Sequence, residues 1–188
     1  MTDASAYGPS ALATPANAVT VIRLLVSPLL FVMITDDGAT WAVFLLWTVL
    51  ASTDGVDGWI ARRHGTTRSG AFLDPLADKV LVLGALFALV SINRFSWVPV
   101  AIIAGRELFI SLYRVHWGRR GLAVPARSSA KAKTFVQAFA VGLALLPPLA
   151  DIWWPADVVL WAAVVLAVYS AAQYVLDGAR AATTMERA

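Results

Sequence analysis

Six long apolar runs occupy most of this chain and set what it can become: Ala18–Ile34, Trp41–Ile60, Leu73–Ile92, Phe95–Tyr113, Ala132–Ala150 and Val158–Leu176. A helix that crosses hydrocarbon needs about 20 mainly apolar residues, so each run is a candidate span. Gly, Pro and Asp separate them, at Asp36-Asp37-Gly38, Gly65 to Gly70, Gly118 to Pro125 and Pro147 to Asp157. The runs do not alternate apolar with polar, which selects helices over the strands of a barrel. With 59% hydrophobic and 14% charged residues among 188, and mean hydropathy +0.70, an ordinary soluble domain is excluded. The fold class expected is an all-α integral membrane protein with six transmembrane helices. Residues 1–16 form an N-terminal tail, either disordered or lying on the membrane, residues 17–178 the six-helix domain, and 179–188 a C-terminal tail. No Lys or Arg precedes Arg23, so the start lacks the basic region of a cleavable signal peptide.

The basic residues give an orientation. Asp36 and Asp37, then Asp151 and Asp157, stand between spans with no cation beside them, and Arg94 is the one basic residue of the third connection on that side. The other 14 of the 15 Lys and Arg residues fall on the opposite side or in helices near it. That side should be the cytoplasm, with both termini inside. A net charge of +3 is too small to suggest a nucleic-acid partner. No cysteine is present, and two isolated histidines, His64 and His116, do not make a zinc site. The aromatic residues Trp41, Trp97, Trp117, Trp153, Trp154 and Trp161 cluster near span ends, as interface anchors do.

Four carboxylates stand out because they lie inside or at the ends of two spans: Asp54, Asp57, Asp74 and Asp78. A carboxylate at mid-helix costs about 2.5–3.5 kcal/mol on insertion scales. At 3.6 residues per turn Asp54, Asp57, Gly58 and Ala61 share one helix face, and Gly70, Asp74, Ala77 and Asp78 share another. The small neighbours leave space for a ligand or for close helix packing. Taken singly, each aspartate could cap a helix end or pair with Arg62, Arg63 or Lys79. Taken together, four carboxylates repel one another unless a cation neutralises them, and an all-oxygen set suits Mg²⁺, Mn²⁺ or Ca²⁺.

The pattern Asp54-x2-Asp57-Gly58-x2-Ala61-Arg62, followed by Gly70-x3-Asp74-x3-Asp78, resembles the motif of the CDP-alcohol phosphotransferase family. Seven residues separate Arg62 from Gly70, one fewer than in the commonest form, a difference confined to the loop. Pro15-x-Asn17-x2-Thr20-x2-Arg23 followed by Pro28 resembles the first-helix pattern of the family. Gly105-Arg106-Glu107, Arg114, Val124-Pro125-Ala126-Arg127 and Ala130-Lys131-x-Lys133-Thr134-x2-Gln137 resemble its phosphatidylglycerophosphate synthase branch. The likeness covers about residues 15–137; the last span matches only as an apolar helix.

The resemblance implies a six-helix fold, a homodimer, and a cavity open to the cytoplasmic side of the inner membrane. It implies transfer of a phosphatidyl group from CDP-diacylglycerol to glycerol 3-phosphate, releasing CMP. Asp54, Asp57, Asp74 and Asp78 would hold two Mg²⁺ or Mn²⁺ ions, with Asp78 also the general base. Asp57, Gly58, Ala61, Arg62, Gly70 and Thr20 would bind CDP-diacylglycerol, and Arg106, Arg114, Lys131 and Lys133 the acceptor phosphate. Arg23 would pair with the acidic cluster or with the donor pyrophosphate. Direct displacement is expected, since no activated Ser, Cys or His is at hand. Two alternatives remain at this point: the same chemistry with inositol phosphate or phosphatidylglycerol as acceptor, or a divalent-cation transporter.

Overall fold

The computed structural model describes the backbone of residues 15–64, 68–119 and 128–185, and the side chains of 17–53, 76–115 and 132–176. These residues form six α-helices and no strand: α1 Pro15–Asp37, α2 Trp41–His64, α3 Arg68–Ser91, α4 Trp97–Arg119, α5 Ser128–Leu145 and α6 Trp154–Met185. The all-helical expectation holds, with shifted boundaries. Pro147-Pro148 stop α5 short of Ala150 and build a 3-10 turn instead, because neither can donate to the helix behind it. At the other extreme, α6 runs past position 178.

Local signals explain the helix ends. Pro15 opens α1, where a missing N–H is no loss. Gly38, at φ +66°, closes α1 and donates its N–H to the Ile34 carbonyl. Thr40 then caps α2, its hydroxyl accepting from the Val43 N–H. Asn93 takes the same left-handed conformation after α3, at φ +57°, and the Arg94 N–H returns to the Leu89 carbonyl. The Arg94 guanidinium reaches across to the carbonyls of Ile152 and Trp153, so the α3–α4 and α5–α6 turns meet at one end of the bundle. It also lies over the Phe95 ring, 5.8 Å from the centroid. Desolvation lowers the Arg94 pKa from its ordinary value, and the Asp157 carboxylate acts the other way.

Helix α1 packs most extensively on α3, and α5 on α6. The buried face of α1 recurs every three to four residues, and its character changes along the helix: Asn17, Thr20, Arg23 and Ser27, then Leu30 and Ile34. The bundle interior divides in the same way. Toward the Arg94 end lies an apolar core including Leu30, Ile34, Trp47, Leu86, Leu89, Val100, Leu145 and Leu160. Toward the other end polar and charged side chains, among them Arg23, Glu107, Lys133 and Ser170, join the buried set.

The outer surface is the reverse. Val21, Ile22, Leu25, Leu29, Leu108, Leu112, Phe135, Val165 and Val168 are exposed. A surface this apolar around a polar interior fits lipid rather than water. Among the described residues two helical segments are long and apolar enough to cross a membrane, Asn17–Asp37 and Trp154–Leu176, while Trp41–Thr53 and Ala132–Leu145 are shorter apolar stretches.

Gly84 lets α1 and α3 approach: a β-carbon there would overlap the Phe31 ring. Gly84→Ala should therefore cost about 1–3 kcal/mol, read as a lower melting midpoint in mild detergent. Adding Phe31→Leu should recover most of that loss.

Candidate active site

Each of the six helices sends at least one polar side chain into the polar half of the bundle. The first group knits α1, α2 and α3. Arg23 is 1% exposed, a burial tolerated for a guanidinium only when its donors are met. Its Nη1 donates to Asp78 Oδ1 at 2.9 Å and its Nε to Thr53 Oγ1 at 3.1 Å. Thr53 accepts that bond because its own hydroxyl proton goes to the Leu50 carbonyl. One turn along α1, the Ser27 hydroxyl donates to the Arg23 carbonyl, beside the gap that Pro28 leaves in the helix ladder. Asp78 keeps 31% of its side-chain surface open, so Arg23 fixes the carboxylate from one side without enclosing it.

The second group knits α3, α4, α5 and α6 around Glu107. The Glu107 carboxylate pairs with both Arg106 and Lys133. Arg106 also donates from Nε to the Ala167 carbonyl and from Nη2 to Ser170 Oγ, binding α4 to α6. Lys79 donates to Ser111 Oγ, and the Ser111 hydroxyl donates in turn to the Glu107 carbonyl. Arg114 is exposed, yet near enough to Lys79 for their charges to interact, as is Arg106. The two groups are neighbours because Asp78 and Lys79 are consecutive on α3.

The sequence-derived site residues sort as follows. Thr20, Asp78, Arg106, Arg114 and Lys133 fall among the described side chains, with Thr20 fully buried on the polar face of α1. Asp54, Asp57, Gly58, Ala61 and Arg62 lie on α2, Gly70 and Asp74 on α3 and Lys131 on α5, but their side chains lie outside the described residues. Asp54 directly follows Thr53, and Asp74 lies one helical turn before Asp78. Among the described residues no three His, Cys, Asp or Glu side chains form a metal-binding group. Arg23 pairs with Asp78, one of the four acidic residues. All three guanidinium nitrogens of Arg106 have partners on α4 and α6. Thr53, Ser111 and Ser170 had no signal in the sequence: each is a common hydroxyl in an apolar run, and its partner is 30 to 64 residues away.

The family model for CDP-alcohol phosphatidyltransferase matches residues 13–169. The chain belongs to this family. A Mycobacterium tuberculosis (strain H37Rv) member, named as a probable phosphatidylglycerophosphate synthase, is 36% identical over 179 residues, covering 92% of this chain and 85% of that one. An Escherichia coli (strain K12) member, named CDP-diacylglycerol–glycerol-3-phosphate 3-phosphatidyltransferase, is 38% identical over 176 residues, covering 87% and 93%. A Shigella sonnei protein of that name matches to the same extent. The CDP-alcohol phosphatidyltransferase match thus takes in the Arg23 group and all of the Glu107 group except Ser170, and ends half-way along α6, beyond the reach of the short motifs.

Breaking the Arg23 pair should be costly. Arg23→Ala leaves Asp78 without its buried partner and should lower stability by about 3 kcal/mol, the low end for such a pair because Asp78 is partly open. Arg23→Lys should recover only part, since an ammonium does not reproduce the fork to Thr53 and Asp78. Melting in detergent measures both.

Proposed function

We propose that this chain transfers the phosphatidyl group of CDP-diacylglycerol to glycerol 3-phosphate, giving phosphatidylglycerophosphate and CMP. The observation that carries the reading is the held but open carboxylate of Asp78, the last aspartate of the family motif, one turn from Asp74 and level with Thr53 beside Asp54. The names of the Mycobacterium and Escherichia relatives support the acceptor. The local charge supports it too. Lys79, Arg106, Arg114 and Lys133 lie near enough for their charges to interact, Glu107 pairs with Arg106 and Lys133, and such a cluster of cations suits a phosphate-bearing acceptor better than phosphatidylglycerol.

Asp54, Asp57, Asp74 and Asp78 make a hard, all-oxygen donor set that fits two Mg²⁺ or Mn²⁺ ions. Bound there, the ions would neutralise the donor pyrophosphate and the charge that develops on the leaving CMP. Asp78 takes the proton from the attacking glycerol hydroxyl, and Arg23 and Thr53 hold that carboxylate at one angle. Thr20, Gly58, Ala61, Arg62 and Gly70 receive the nucleotide side of the donor together with Asp57. Lys131, Lys133 and Arg114 receive the acceptor phosphate, and Arg106 holds Glu107 and α6 in place beside them. The same reading has six spans, with both termini and the site on the cytoplasmic side of the inner membrane, and a homodimer in the bilayer.

Asp78→Asn should lower CMP release by about 10²–10⁴-fold, the range for a lost general base, in protein that still elutes as a folded species but melts lower than the parent, because the buried Arg23 loses its charged partner. Retention of most activity would remove Asp78 from this role. Chelation with EDTA should abolish CMP release, and added Mg²⁺ or Mn²⁺ should restore it. A panel of glycerol 3-phosphate, inositol phosphate and phosphatidylglycerol, each with CDP-diacylglycerol, tests the acceptor.

A further inference from the structure

Among the described residues, a buried side chain on α5 outside both ion-pair clusters carries an unmet donor. Gln137 is 2% exposed, and its Nε2, with two N–H donors, has no hydrogen-bond partner. A buried amide left this way destabilises the fold, the more so where no water competes. Such groups are rare in native proteins and call for an explanation.

Its position supplies one. Gln137 lies one turn beyond Lys133 on the buried face of α5, which continues as Ala140, Val141 and Ala144. It is therefore the last polar side chain on that face before the apolar core, at the floor of the polar half. Lys133 above it gives one of its three donors to Glu107. The four residues between them rise about 6 Å along the helix, within the span of a short phosphorylated polyol.

We infer that Gln137 is a specificity-determining residue of the acceptor site: its amide donates to the acceptor's second, non-reacting hydroxyl while the phosphate rests on the cations above. This rests on the proposed reaction with glycerol 3-phosphate, and it adds what that reading lacks, a group that distinguishes one phosphorylated alcohol from another. A neutral donor suits this role, because it pairs with a hydroxyl without demanding charge. An unmet donor in the free protein also means that binding relieves a penalty already present, so an acceptor lacking the hydroxyl gains less.

The test compares glycerol 3-phosphate with 3-hydroxypropyl phosphate, which keeps the phosphate and the reacting hydroxyl but lacks the central one. The parent protein should prefer glycerol 3-phosphate by about tenfold or more in kcat/KM, the scale of one well-made hydrogen bond. Gln137→Met, similar in volume and without donors, should collapse that preference toward one by raising the KM for glycerol 3-phosphate, with the KM for CDP-diacylglycerol unchanged. Its melting midpoint should equal or exceed the parent's, since an unmet donor has been removed. Gln137→Asn, with the amide drawn back, should fall between the two in preference. Equal losses for both acceptors, or a lowered midpoint with the preference intact, would overturn the inference and leave Gln137 a structural residue. If the parent used neither phosphorylated acceptor, the proposed reaction itself would fail; a parent active on glycerol 3-phosphate whose preference survives Gln137→Met would refute only the role of Gln137.

Discussion

Charge buried inside an apolar shell is the constraint that organises this molecule. A guanidinium in the first helix cannot be left in hydrocarbon without partners, and Arg23 finds them on two other helices, at Asp78 and Thr53. That pairing sets how α1, α2 and α3 stand relative to one another. It also orients the Asp78 carboxylate, which stays partly open. Fold and site therefore share one interaction: whatever disturbs the packing of α1 on α3 changes the angle of Asp78.

The second ion-pair group extends the logic across the remaining helices. Glu107 compensates Arg106 and Lys133, and Arg106 carries the connection onward to the backbone of α6. Polar atoms here act at once as structural ties and as a reservoir of positive charge. In water such ties would compete with solvent and contribute little. Enclosed by an apolar exterior, they have fewer competitors. The divided interior follows: the apolar half near the Arg94 turns is held by packing, the polar half by directed bonds.

Much of this was readable from residue order. The six helices followed from run length and punctuation, and the family followed from the Asp54–Asp78 spacing. The ends were less legible. Gly38 and Asn93 both close helices through the left-handed conformation, but an asparagine is a weaker sign than a glycine, and the expected span overran Ser91 by one residue. The partners of buried charges were least legible. Arg23 could be suspected from its place in an apolar run, but Thr53 could not, because nothing local marks one threonine as the acceptor for an arginine 30 residues earlier. A cation inside a span signals function, which is as far as the sequence goes for Arg106. Its attachment to Ser170 and the Ala167 carbonyl depends on how α4 packs on α6, which periodicity within one helix does not contain.

The Arg23–Asp78 contact also has a consequence in time. The chain is synthesised from its N-terminus, and the carboxylate that neutralises Arg23 emerges 55 residues after it. A helix that carried Arg23 into lipid ahead of that carboxylate would draw the cation toward the headgroups. The bond that ties α1 to α3 can therefore form only once α3 has been made.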